Sequence, residues 1–226
     1  MKSSCIQLFV LLGLCALLAG RAAWPQTRSG DWTMTPSNFA GHVHFSLIEL
    51  RHDGYSEFGS DWPVSAFQGL DVSKSGRHEA HFTVSPDAGK FDCEGFLDYG
   101  QGAGLFHFFR NPQYPQEMKA LGFDVGDNQL ALAAHDVSLE FAKAMKGEHL
   151  EGLDADKLMA FRIHGVTPPF IEELKRLGYA HPEPDQLISM RIHGVTPEYI
   201  TTMRSQHGMQ NLTIEQLVSL RIHGID

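Results

Sequence analysis

The chain has 226 residues, 42% of them hydrophobic, with 18 basic against 27 acidic side chains (net −9) and three cysteines. That profile describes an ordinary globular chain of one or two domains and excludes collagen-like, disordered, multi-span membrane and disulfide-scaffold classes. The negative charge also argues against nucleic acid as a partner, because a phosphate-binding face must be basic enough to displace counterions.

The N-terminus runs from Lys2 through an apolar stretch, Ile6 to Ala19, into Gly20-Arg21-Ala22-Ala23. A charged start, a short apolar middle and a small-residue end are the marks of a secretory signal peptide, residues 1–23, cleaved near Ala23. The stretch is shorter than the roughly 20 residues a spanning helix needs, so membrane attachment is expected only if the signal is left uncleaved. Cleavage removes Lys2, Arg21, Cys5 and Cys15, leaving 16 basic against 27 acidic groups, a net of −11, and a single thiol at Cys93. The expected protein is therefore exported, periplasmic or secreted, yet without an internal disulfide, so its stability must rest on packing. Cys93 reads first as a small buried apolar residue on a strand, the alternatives being a reactive thiol or a pairing between chains.

From about residue 30 to 110 the pattern has period two and is broken by turn signals. Val43, Phe45 and Leu47 alternate with His42, His44 and Ser46, Ala80, Phe82 and Val84 with His81 and Thr83, and Phe91, Cys93 and Leu97 with acidic residues. Asp53-Gly54, Pro86 to Gly89 and Asp98 to Gly102 are hairpin turns. An antiparallel β-meander of about five strands is expected, with a helical turn near Ser65 to Leu70 and with Gly95, Gly102 and Gly104 easing twist in the last hairpin.

After Asn111-Pro112 the period becomes helical and an internal repeat takes over, residues 111–226. His135-Asp136-Val137, His164-Gly165-Val166, His193-Gly194-Val195 and His223-Gly224-Ile225 are spaced 29, 29 and 30 residues apart. The units are about 111–135, 136–164, 165–193 and 194–226. Gly165 and Gly194 supply a left-handed helix end with Val166 or Val195 packing back. Thr167 and Thr196 then cap the next helix, with Pro168 or Pro197 in its first position. Pro168 to Leu177 should bury Phe170, Ile171, Leu174 and Leu177, and Thr213-x-x-Gln216 is a capping box for the last helix. Each unit is two helices too short to stand alone, which must stack on their neighbours. The fold class is thus α+β, a β-meander domain followed by a short array of two-helix repeats. The first unit has Ala133-Ala134 where later ones have Arg-Ile, as expected for a repeat buried against the sheet. The chain ends at Asp226, which leaves the last repeat exposed or completed by another chain.

The repeated polar residues carry the functional argument. His164, His193 and His223 fall in the last turn of a helix, where a ring N–H satisfies free carbonyls. Equivalent positions ~8–10 Å apart cannot share one ion with bonds of ~2.1 Å. Arg162, Arg191 and Arg221 fall near the middle of an apolar arc and need partners if buried. Asp156, Asp185 and Glu215, or the open carbonyls of an adjacent helix end, can supply them across units, forming an arginine ladder that fixes the stacking register. Alternatively the arginines line a groove for a partner's carboxylate. In the sheet, His42, His44, His81 and His107 are weak candidates for a Zn or Cu site if their strands are neighbours, although no tight ligand spacing supports one. Asp87, Asp92 and Glu94 read as a solvated edge. There is no His-Glu-x-x-His, Gly-x-Ser-x-Gly, phosphate loop or dinucleotide fingerprint, so neither a catalytic residue nor a cofactor is assigned. Asn211-Leu212-Thr213 fits a glycosylation acceptor, but Thr213 already has a capping role.

The string Arg191 to Ile200, Arg-Ile-His-Gly-Val-Thr-Pro-Glu-Tyr-Ile, with the segment Phe108 to Phe123 that contains Met118-Lys119-Ala120-Leu121-Gly122-Phe123, resembles an extracytoplasmic region attached to some bacterial proteins of the beta-lactam-sensing antirepressor metallopeptidase family. It also resembles stand-alone secreted relatives with the same sheet-then-repeats layout. The resemblance spans about Trp32 to Asp226 and implies a bacterial origin and an envelope location. The peptidase does not carry over, because that family's membrane helices and His-Glu-x-x-His are missing. Residues 93–104 look like one degenerate MORN-type hairpin unit, and the helix–Gly-Val-Thr-Pro–helix junction is similar to a helix-hairpin-helix module without its second glycine. The expected function is a non-catalytic interaction or sensing module whose partner is another envelope protein or, through the terminal repeat, a second copy. The alternative is a small-ligand or metal-binding envelope protein using the sheet histidines, and a third reading is a hydrolase.

Overall fold

The computed structural model describes residues 26–52 and 54–225; the expected signal peptide, residues 1–23, lies outside them. Seven strands form one antiparallel sheet: β1 (Gln26–Pro36), β2 (His42–Arg51), β3 (Gly54–Pro63), β4 (Phe67–Gln68), β5 (His78–Val84), β6 (Gly89–Asp98) and β7 (Gln101–Arg110). The order is β3-β2-β1-β7-β6-β5-β4. Consecutive strands pair in two runs, and the long-range pairing of β1 with β7 welds the runs together.

Seven strands exceed the expected five for identifiable reasons. β3 buries only Trp62 deeply, so it lacks a clean alternation, and β4 has only two residues. The expected helical turn is a 3-10 turn, Val64–Ala66, which joins β3 to β4. Those two strands are the edges of the sheet, so the short link curls the sheet back on itself.

The period-two residues make the core inside that curl. Val43, Phe45, Leu47, Phe82, Val84, Phe91, Cys93 and Leu97 are all buried. Trp32 sits among them, its indole edge-on to Phe82 at 5.0 Å, with its N–H donating to the Glu94 carbonyl at 3.0 Å. Phe67 packs edge-on against Phe45, Trp62 and Phe82, so aromatic rings span the gap between the two unpaired edges. Gly95 makes room for this arrangement, since a Cβ there would stand 2.9 Å from the Trp32 ring.

Eight helices follow: α1 (Tyr114–Leu121), α2 (Gln129–Ala134), α3 (Leu139–Gly147), α4 (Ala155–His164), α5 (Pro168–Arg176), α6 (Pro184–Ile192), α7 (Pro197–Ser205) and α8 (Ile214–Ile222). They stack in two layers: α4 packs on α6 and α6 on α8, while α1 packs on α3 and α5 on α7. The 29-residue joint is built as its residues require. Gly165, Gly194 and Gly224 take φ of +71°, +68° and +71°, and Asp136 occupies the same place in the first unit at +49°. The following apolar residue returns its N–H to the helix, Val166 to the Phe161 carbonyl at 2.9 Å and Val195 to that of Met190 at 2.8 Å. Thr167 and Thr196 then accept from the N–H of Phe170 and Tyr199, and Thr213 with Gln216 forms the capping box. Phe170, Ile171 and Leu174 are buried and Leu177 is half-buried.

The array joins the sheet through its first unit. Every residue of α2 is buried, and the helix packs against β3, β6 and β7. Gln129 donates from Nε2 to the carbonyls of Ala88 and Asn111, both at 2.7 Å. Asp87, exposed as expected of a solvated acid, also accepts the Leu139 N–H at 2.8 Å and ties a sheet turn to the start of α3.

Candidate functional site: the repeat spine and its open face

The three arginines form the inter-unit ladder, and their partners are carbonyls. Nε of Arg162 donates to the His135 carbonyl at 3.1 Å, that of Arg191 to His164 at 3.3 Å, and that of Arg221 to His193 at 3.4 Å. Each guanidinium also lies over the aromatic ring of the intervening helix. The distances to the centroid are 5.4 Å for Arg162 over Phe141, 5.1 Å for Arg191 over Phe170 and 4.8 Å for Arg221 over Tyr199. One cation thus closes a helix end in the preceding unit and stacks on the helix between. A fourth arginine follows the same logic in the other layer, Arg204 donating to the Leu177 carbonyl at 2.9 Å over the Tyr179 ring.

Two expectations are corrected by this geometry. Arg162 and Arg191 are exposed and Arg221 is half-buried, so none is a buried cation; the long side chain crosses the gap along the surface and needs no carboxylate at its centre. Asp156, Asp185 and Glu215 do not meet the arginines. They form a second rail at the helix starts, with Asn128 donating to Asp156 at 2.9 Å, Lys157 paired with Asp185, and Gln186 donating to Glu215 at 2.5 Å. Asp136 places a carboxylate on the arginine ladder, 2.8 Å from Arg162. It stands where later units have glycine, which takes the left-handed backbone without strain; a Cβ on Gly165 or Gly194 would also lie 3.0 or 3.1 Å from the next arginine's Nη2.

The histidines are corrected as well. Their shared contribution to the ladder is the backbone carbonyl of His135, His164 and His193. Among the three expected capping rings, only His223 bonds a carbonyl of its own helix, that of Ser219 at 2.7 Å. The rings of His164 and His193 have no hydrogen-bond partner among the described residues. The first-unit counterpart, His135, is buried, and its Nδ1 is 2.8 Å from the Ser60 hydroxyl of β3, edge-on to Phe58 at 6.3 Å. Burial, and then the Arg162 charge, push the His135 imidazole down to about 4, so it is neutral near pH 7.

The isoleucine of each Arg-Ile-His string was not singled out by the sequence. Ile163, Ile192 and Ile222 are 49%, 54% and 58% exposed, whereas Ala134, their first-unit counterpart, is 3% exposed beneath the sheet. Recurrence of a large aliphatic residue beside Arg and His was the available signal. It was masked because aliphatic residues near a helix end are ordinarily core.

The strand order keeps the sheet histidines apart. His42 and His44 are on β2, His107 on β7 and His81 on β5. His42 Nδ1 meets the Ala40 carbonyl at 3.0 Å, His44 meets Asp61 at 3.2 Å, and His81 meets Asp92 at 3.0 Å. Among the described residues no group of three His, Cys, Asp or Glu side chains is placed to hold a metal ion. A groove of about 700 Å³ on the sheet gathers Glu79, His81 and Glu94 beside the exposed Phe96 and Leu105. Cys93 is buried in the core, where desolvation raises its thiol well above the usual range, so it is an inert protonated thiol at neutral pH.

No helix among the described residues is long and apolar enough to cross a membrane. Comparison with family models, with curated proteins and with solved structures yields no match. The architecture defines an α+β protein in which a curled antiparallel sheet carries a two-layer array of helical repeats.

Proposed function

We propose that this is an exported envelope protein that acts as a non-catalytic interaction or sensing module through its helical repeats. The observation that carries the reading is the uncovered aliphatic and histidine-bearing face of the second and third units. The arginine ladder and the helix-start contacts hold that face rigid, which lowers the ordering cost of binding. A recurring, pre-organised apolar strip of this kind is what extended partner surfaces of repeat proteins use. The apolar leader at Ile6–Ala19 and the resemblance to an extracytoplasmic repeat region support export.

The test has two parts. N-terminal sequencing of the protein recovered from the envelope or medium is expected to begin at Ala23 or Trp24. Affinity capture from envelope extract is expected to retain a partner on the wild-type chain and to lose it on the Ile163→Asp/Ile192→Asp variant. Equal capture by both chains would remove the repeat face as the contact surface.

A further inference from the structure

The molecule already contains one occupied copy of the surface that its later repeats leave open. In the first unit, α2 lies against β3, β6 and β7, and the end of the helix meets β3 through two alternate residues: Phe58 edge-on to the His135 ring and Ser60 with its hydroxyl on Nδ1. The repeat places Ile163 and His164, then Ile192 and His193, in the positions of Ala134 and His135. These later positions have the same backbone, since the residue after each histidine is left-handed in all units and each histidine carbonyl accepts the next arginine. They differ in that Ile163 and Ile192 are larger than Ala134 and exposed, and in that the His164 and His193 rings are half-buried and unbonded among the described residues. Met159 and Ile188, one turn earlier, are half-buried and extend each apolar patch.

From this precedent we infer that the strip formed by Met159, Ile163, His164, Ile188, Ile192 and His193 binds an extended segment of a partner protein in which an aromatic residue and a hydroxyl residue alternate, as Phe58 and Ser60 do in β3. As Phe58 and Ser60 both meet His135, the aromatic side chain sits edge-on to the histidine ring beside the isoleucine and the hydroxyl bonds the same histidine's Nδ1. Alternation is required because only residues two apart share one face of a strand, at ~6.8 Å. Isoleucine in place of alanine fits a docked segment that stands farther from the helix than β3 stands from α2. A second copy of the chain is the poorer occupant: its matching strand, β3, is already seated on its own α2. The inference rests on the proposed repeat contact and adds the chemistry of what is contacted.

The probe is a fluorescent decapeptide with the β3 sequence, residues 54–63, added to the full chain. Expected are saturable binding with methyl NMR shifts at Ile163 and Ile192, about tenfold weaker binding for Ile163→Asp or Ile192→Asp, and a comparable loss when the peptide residues matching Phe58 and Ser60 are changed to Ala. Unmoved isoleucine methyls at millimolar peptide overturn the inference. So does a concentration-dependent dimer that Ile192→Asp abolishes, which would make a second copy the occupant. If the peptide fails while an envelope partner is still lost on the double isoleucine variant, only the extended-segment chemistry falls. If neither depends on these isoleucines, the repeat reading falls with it.

Discussion

Trp32 in the sheet and Arg191 in the array each connect parts of the chain, but over very different distances. Trp32 on β1 touches Phe82 and hydrogen-bonds Glu94, and its strand pairs with β7 some seventy residues away. Arg191 reaches only the end of α4 and the ring on α5, within one repeat. The sheet is therefore a single cooperative unit closed by non-local contacts, whereas the array is a sum of near-neighbour joints. Side-chain chemistry follows the same division. The sheet interior is a contiguous aromatic cluster, and the array repeats small helical cores and closes their ends with arginine.

If this contrast is correct, damage to the sheet centre should be the most severe. Trp32→Ala removes a fully buried indole with its hydrogen bond and is expected to cost about 3–5 kcal/mol in denaturant unfolding. A loss below about 1 kcal/mol would mean the curled sheet is not one cooperative core.

The seam between the two regions has its own signature in pH. His135 is held neutral in the folded protein, its imidazole lowered to about 4, while the unfolded chain takes up a proton near 6.5. Unfolded protein thus binds more protons between those values, so stability is fully present above about pH 6.5 and falls as pH drops towards 4, by at most about 3 kcal/mol. Below about 4 both states are protonated and this contribution is flat. The difference in melting temperature between wild type and His135→Gln should change across that window, and a constant difference would show that the seam does not exclude the charged ring.

Within the array, effects should be smaller and local. Gly165→Ala combines a left-handed backbone with a Cβ 3.0 Å from Arg191 and should cost about 1–2 kcal/mol by thermal unfolding. Arg191→Met should lower stability by about 1 kcal/mol through the lost carbonyl bond and ring contact. An unchanged or raised melting temperature would show that the ladder does not set the register. Smallest of all, Ile163→Ser should stay within about 0.5 kcal/mol, since the side chain is half exposed and the Gly165 helix end is closed by backbone contacts. A larger loss would make it part of the fold rather than of an open face.

The same contrast explains which features were readable in advance. The repeat joint is local chemistry: a left-handed glycine, a threonine cap and a proline in the first turn dictate their structure within ten residues, so α4 to α8 follow from the string itself. Strand alternation likewise marked Val43, Phe45, Leu47 and Phe91 as core. The Asp53-Gly54 turn marked where β3 begins, but its single deep residue, Trp62, leaves no period by which to see its extent. The acid partners of the arginines were misassigned because helical phase does not say which groups of the next unit face the gap. The sheet histidines could not be grouped or separated without the strand order.

The amino-acid sequence by itself determined the α+β class, the 29-residue period, the helix ends and the identity of most core positions, because each depends on contacts close along the chain. Tertiary structure alone decided the closure of β1 on β7, the seating of β3 on α2, and the division of equivalent repeat positions into covered and open. Those outcomes depend on which surfaces come together from distant segments. That is why Ala134 and Ile163, equivalent in the repeat, end on opposite sides of the boundary between core and solvent.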